Sequence, residues 1–295
     1  MGLVGESGSG KTLTALAILR LLPPAGRILT GRIELEERDL MALSESEMAD
    51  VRGGRMAMIF QEPMTALNPV LTVGYQIAEV VRRHQGVGRK AAWREAGRLL
   101  DQVVIPAAAE RLEDYPHQLS GGQRQRVMIA MALAGKPDLV IADEPTSALD
   151  VTVQAEILEL LEELRSELQL AILLITHDLG VVAETCSRVV VMYAGQVIEQ
   201  APVEELFTRP AHPYTRGLLE AAPKLGHRSA DGRLPTLPGQ VPDPSELPVG
   251  CSFHPRCTEV VAGCDRSEPP LVQLADSREA RCFLHLDPSP KERHP

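Results

Sequence analysis

Gly5-Glu6-Ser7-Gly8-Ser9-Gly10-Lys11-Thr12 decides the fold of this chain. It satisfies G-x-x-x-x-G-K-[ST] at every fixed position. Its glycines let backbone N–H groups turn inward around an anion, so Gly5, Ser7, Gly8 and Gly10 are candidate phosphate-binding positions. In that pattern Lys11 reaches the β- and γ-phosphates of a nucleotide, and the Thr12 hydroxyl ligates Mg²⁺. The flanks agree. Leu3-Val4 reads as the end of a strand, and Lys11 to Leu22 as a helix stopped by Pro23-Pro24. The positive end of that helix faces the same phosphates. A glycine-rich turn that only capped a helix would not need the whole pattern.

Leu139-Val140-Ile141-Ala142-Asp143-Glu144 reads as a buried parallel strand ending in two acids. Beside a phosphate loop, Asp143 suits the Mg²⁺ shell, and Glu144 suits the base that takes a proton from the attacking water. Leu119-Ser120-Gly121-Gly122-Gln123 opens a helix running to Ala134. Ser120 is a good N-cap, and Gly121-Gly122 expose backbone N–H groups at the positive helix end. An ordinary cap does not need two glycines, each costing about 1 kcal/mol against alanine within a helix. The segment is therefore a second candidate anion site.

Further out, Arg32 to Leu35, Ala57 to Phe60 and Ala171 to Ile175 read as strands. Val73 to Arg83, Arg89 to Val103 and Val153 to Leu168 read as helices. Arg188 to Tyr193 and Gln196 to Glu199 flank Ala194-Gly195, a hairpin signal. Strands alternating with helices predict an α/β sheet with parallel elements. Composition shifts near residue 200. Residues 1–200 hold 8 prolines and residues 201–295 hold 15, with turn clusters such as Pro235-Thr236-Leu237-Pro238-Gly239. A regular α/β domain over 1–200 followed by a loop-rich annex over 201–295 is the expected organisation. The net charge of −10, without a Lys/Arg block, argues against nucleic acid as the main partner. No apolar run approaches the roughly 18–20 residues of a membrane span, and the start carries no signal-peptide pattern. The chain is expected in the cytoplasm.

Leu119 to Gln123, lying between the phosphate loop and the acidic strand, resembles the signature of ATP-binding cassette (ABC) ATPases. Gln61, in Ile59-Phe60-Gln61-Glu62-Pro63, resembles the Q-loop glutamine. Ser147-Ala148-Leu149-Asp150 resembles the D-loop, and His177 resembles the switch histidine. Singly, a Gln or His is more often structural; five marks in family order are not a chance match. A finer resemblance covers nearly the whole chain. Met58 to Pro69, Ala148 to Gln154 and Pro210-Ala211-His212-Pro213-Tyr214-Thr215 look like the ATPase subunits of oligopeptide and dipeptide importers. The resemblance implies a P-loop ABC ATPase fold: a RecA-like core, a helical subdomain at about 72–134 and a C-terminal extension. It implies two ATPase domains, alike or different, facing head to tail. Each ATP would lie between the phosphate loop of one and the Ser120, Gly121, Gly122 and Gln123 segment of the other, with Asp150 near it. Thr12, Gln61 and Asp143 would hold Mg²⁺, Glu144 would polarise the water, and His177 would contact the γ-phosphate. Two transmembrane permease subunits and, indirectly, an extracytoplasmic peptide-binding protein are the implied partners. The implied location is peripheral, on the cytoplasmic face of the plasma membrane.

Three expectations concern what the motifs leave open. Cys251, Cys257, Cys264 and Cys282 have gaps of 5, 6 and 17 residues, without the C-x₂-C pair of structural zinc sites. Four thiolates can hold an iron–sulfur cluster, and the importers' extension carries a similar array, so [4Fe–4S], zinc and free thiols stand as alternatives. Cys186 reads as a small buried hydrophobe. The family has strands, with an aromatic that stacks on adenine, ahead of the phosphate loop. Here four residues precede Gly5 and the first aromatic is Phe60, so a truncation just before the loop is expected. The competing functions are a soluble ABC ATPase of DNA repair or translation and an inactive ATP-binding module. The solute stays open among dipeptides, longer peptides and nickel chelates, because other subunits would carry the selective pocket.

Overall fold

A computed structural model of the chain describes residues 1–147, 149–222, 237–274 and 277–286. In chain order the first elements are β1 (Gly2–Val4), α1 (Lys11–Ile18), β2 (Glu34–Leu35), β3 (Arg38–Asp39), α2 (Glu45–Gly54) and β4 (Met56–Ile59). There follow α3 (Pro63–Ala66), α4 (Val73–Gln85), α5 (Arg89–Gln102), α6 (Ala108–Arg111) and α7 (Gly121–Leu133). Next come β5 (Leu139–Asp143), α8 (Val151–Leu168), β6 (Ala171–Ile175), α9 (Leu179–Thr185), β7 (Arg188–Tyr193) and β8 (Gln196–Pro202). The chain closes with α10 (Val203–Thr208), α11 (Pro213–Ala221), β9 (Val272–Gln273) and β10 (Glu279–Ala280). It divides into two compact units, Met1–Lys11 with Thr176–Pro295, and Thr12–Ile175.

In the Thr12–Ile175 unit, β4, β5 and β6 form a parallel set, with Met56 opposite Leu139 and Leu139 opposite Ala171. Their short apolar runs are buried, as parallel strands covered on both faces require. Helices α4, α5 and α7 pack together through Ile77, Val81, Ala92, Ala96, Leu100, Val127 and Ile129, all essentially inaccessible to solvent. Helix α1 ends at Ile18 rather than at Leu22. Arg20 turns into the left-handed region (φ 52°) and donates to the Leu40 and Leu43 carbonyls, while Arg52 Nε donates to the freed Leu19 carbonyl. Side chains thus satisfy the helix end before Pro23 is reached. The expected strand at Arg32 to Leu35 shrinks to the two-residue pair β2–β3.

In the other unit, β1 runs parallel to β7, and β7 pairs antiparallel with β8 through the predicted Ala194-Gly195 turn. Strand β10 adds antiparallel to β8, and β9 to β10. The stretch after residue 200 is more regular than its prolines suggested. Pro213 sits at the first position of α11, where its missing N–H costs nothing. Tyr214 and Phe253 share one core with Val4, Val189, Val191, Tyr193 and Leu206. Part of the turn cluster at Pro235-Thr236, and Ala148 of the D-loop-like segment, lie outside the described residues.

Candidate nucleotide site

The phosphate loop is a turn that only its own sequence permits. Gly5 has φ 155°, and a Cβ there would stand 2.2 Å from the Met192 carbonyl oxygen and 2.8 Å from Ser9 Oγ. Gly8 and Gly10 also have positive φ, and a Cβ at Gly8 would meet nothing within 4 Å, so that side of the loop is open. Lys11 is only 7% exposed; its Nζ lies within the loop, donating to the Gly5 carbonyl at 2.8 Å and the Glu6 carbonyl at 3.1 Å. An ammonium held inside a ring of backbone fits a nucleotide's terminal phosphates. Ser9, not singled out from the sequence, has a fully buried hydroxyl without a hydrogen-bond partner among the described residues. Thr12 is exposed.

Glu6, another position the motif leaves free, is held by the chain's C-terminal part. Its N–H donates to the Tyr214 hydroxyl at 2.9 Å. Its carboxylate accepts two bonds from Arg256, Nη1 to Oε2 at 2.8 Å and Nη2 to Oε1 at 3.1 Å. Tyr193, Tyr214 and Phe253 form an aromatic cluster with centroids 4.7 to 5.3 Å apart, and the Arg256 guanidinium lies over Tyr193 and Phe253. The start of α11 is fixed by a buried carboxylate. Glu199 accepts the Ala211 N–H at 2.7 Å and the His212 N–H at 2.8 Å, and burial raises its pKa. Burial, with Arg216 and His285 nearby, lowers His212 to about 3, so its ring is neutral and accepts the Tyr214 N–H through Nδ1.

In the Thr12–Ile175 unit, Asp143 ends β5 almost fully buried, and Glu144 follows in the left-handed region at φ 45°. Such a conformation persists in a non-glycine residue only where its surroundings impose it. Here the Glu144 N–H donates to the Ile175 carbonyl at 2.8 Å, and Ser147 donates to the Glu144 carbonyl through both its N–H and its hydroxyl. Gln61, after β4, donates Nε2 to Glu144 Oε2 at 3.2 Å. Two residues 83 positions apart, both singled out from the sequence, are therefore in contact.

Ser120 caps α7, accepting the Gln123 N–H at 3.3 Å, and the Gln123 side chain accepts the Ser120 N–H at 2.9 Å. This capping box accounts for Gln123 structurally. Gly122 has a packing reason besides its exposed N–H: a Cβ would stand 2.8 Å from Val153 Cγ1 of α8. Asp150 caps α8 through the Val153 N–H at 3.0 Å. His177, in the Met1–Lys11 with Thr176–Pro295 unit, is exposed just after β6.

The iron–sulfur alternative for the four cysteines finds no support here. Among the described residues no group of three or more His, Cys, Asp or Glu side chains is placed to hold a metal ion. Cys251 and Cys257 instead pack against the aromatic core, as small hydrophobes do. Burial raises both thiols and pushes Cys282 up to about 11. Cys186 packs half-buried against the same core. Among the described residues no helix is long and apolar enough to cross a membrane.

Comparison with known proteins agrees with this geometry. Residues 1–147 match the ABC transporter family, and residues 198–264 match the oligopeptide/dipeptide transporter C-terminal region. The oligopeptide transport ATP-binding protein AppD of Bacillus subtilis is 50% identical over 289 residues, 97% of this chain and 87% of that protein. The dipeptide transport ATP-binding protein DppD of Escherichia coli is 50% identical over 287 residues, with the same coverage of each chain. Among solved structures, the dimeric ATP-binding cassette MJ0796 bound to ADP and Pi superposes with a TM-score of 0.60 at 28% identity, covering 68% of this chain and 84% of that one. The chain is thus an α/β P-loop protein that belongs to the ABC transporter family, among the ATP-binding proteins that carry the oligopeptide/dipeptide transporter C-terminal region.

Proposed function

We propose that this chain hydrolyses ATP to drive peptide import through a membrane ABC transporter, docked on the cytoplasmic face of two permease subunits and paired with a second ATPase. The observation that carries the catalytic part is Glu144, held in a left-handed turn after a buried strand with Gln61 bonded to it. The names of AppD and DppD support the peptide substrate. Residues 1–200 act as the ATPase domain, with helices at about 72–134 as its helical subdomain, and 201–295 as the extension.

The chemistry is phosphoryl transfer to water, in which positioning and electrostatics do most of the work. Lys11 and the N–H groups of Gly5, Ser7, Gly8 and Gly10 bind the β- and γ-phosphates. Thr12, Gln61 and Asp143 would hold Mg²⁺, which would neutralise phosphate charge. Glu144 takes the proton of the attacking water, and His177 contacts the γ-phosphate. Ser120 and the N–H groups of Gly121 and Gly122, with Asp150, face the nucleotide of the partner ATPase. The dimeric, ADP-bound cassette MJ0796 supports the paired arrangement.

Ser120 separates this scheme from a self-contained site. Replacing Ser120 by Arg should leave ATP affinity of the isolated chain within about twofold, and lower turnover of the assembled transporter by about a hundredfold or more. ATP titration of the chain alone and phosphate release from the assembly measure the two. Equal loss of affinity in the isolated chain would contradict the shared site.

A further inference from the structure

The G-x-x-x-x-G-K-[ST] pattern leaves position 6 unspecified, yet an acid stands there. A carboxylate on a loop that receives a triphosphate repels its ligand unless its charge is cancelled. Arg256, 250 residues later, cancels it through a two-pronged bond. That guanidinium is fixed on all sides. Its side chain is 5% exposed, its Nε donates to the Pro238 carbonyl at 2.8 Å, Nη1 lies 3.4 Å from the Tyr193 hydroxyl, and its plane rests by Tyr193 and Phe253. The Tyr214 hydroxyl takes the Glu6 N–H, so both the side chain and the main chain of Glu6 are engaged by residues beyond position 200. Tyr214 is wholly buried, so its hydroxyl holds a fixed position.

We infer that the C-terminal extension is a clamp on the phosphate loop, in which Arg256 and Tyr214 are positioning residues for ATP binding through Glu6. Arg256 neutralises Glu6 and fixes its direction, and Tyr214 turns the Glu6 N–H away from the bound phosphates. The extension therefore sets nucleotide affinity as well as adding a folded segment. The inference rests on the reading that the Gly5 to Thr12 loop holds the triphosphate.

The test is ATP affinity of the full chain, measured by calorimetric titration with Mg²⁺ present, for Arg256→Ala, Arg256→Lys, Glu6→Gln/Arg256→Ala and Tyr214→Phe, with melting temperatures alongside. Arg256→Ala should weaken ATP about tenfold, because an unpaired carboxylate then faces the phosphates. Adding Glu6→Gln should restore most of that loss although one more native group is gone. Arg256→Lys should restore only part, since a lysine keeps the charge and loses the fork. Tyr214→Phe should weaken ATP by a few-fold. If Arg256→Ala unfolds the chain, Arg256→Gln with and without Glu6→Gln must give the same order. A double variant as weak as the single would overturn charge compensation and leave Arg256 as a packing residue. A Lys11→Ala control that binds ATP like wild type would instead overturn the reading of the loop.

Discussion

Replacing Glu144 by Gln is expected to slow ATP hydrolysis in the assembled transporter by about 10²- to 10⁴-fold, the usual range for losing a general base. Nucleotide binding should persist. Gln is nearly isosteric, and the contacts that impose the left-handed turn involve the backbone of Glu144, its N–H to Ile175 and its carbonyl from Ser147. The amide can still meet Gln61 across the 3.2 Å contact, but it cannot take the proton of the attacking water. With binding intact and hydrolysis blocked, ATP should hold the paired ATPases closed. Phosphate release and ATP-dependent association in size-exclusion chromatography read the two effects. Wild-type phosphate release from the variant would show that Glu144 is not the base.

Replacing Lys11 by Ala should weaken ATP binding by about a hundredfold or more, consistent with the 2–5 kcal/mol typical of truncating one partner of a buried charge pair. The Lys11 ammonium is already organised: it is nearly buried and donates to two loop carbonyls. Little side-chain entropy remains to be lost when phosphate replaces a carbonyl as acceptor. AMP, which lacks the β- and γ-phosphates, should distinguish the variant from wild type far less than ATP does. Titration of both nucleotides measures this. An ATP affinity within twofold of wild type would contradict the assignment of the loop.

The fold was legible because it depends on local pattern, and the candidate site residues were proposed from the same local signals. The glycines of the loop, the apolar run ending in Asp143-Glu144, the Ser120 cap and the period of α8 each report on their own segment. What local pattern missed is tertiary. Helix α2 carries a capping box at Ser44 and Glu47, but its weak apolar face hid it among polar residues. Helix α11 opens on Pro213, in a proline-rich stretch whose composition reads as loop, although at the first helical position the proline fits the helix. Arg256 and Glu6 are 250 residues apart, and neither has a motif that names the other. The cysteines were read by number and family likeness; the packing of Cys251 and Cys257 against the aromatic core is something spacing does not encode.

The central claim, that this chain's ATP hydrolysis powers peptide import, is tested most directly by transport itself. The chain would be assembled in lipid vesicles with the second ATPase, permease subunits and peptide-binding protein proposed for it, and uptake of a labelled di- or oligopeptide followed with ATP on this chain's side. Uptake should require hydrolysable ATP, rise with the amount of ATP hydrolysed, and fall together with hydrolysis in the Glu144→Gln assembly. Peptide uptake that proceeds equally without ATP, or undiminished in the Glu144→Gln assembly, would contradict the account.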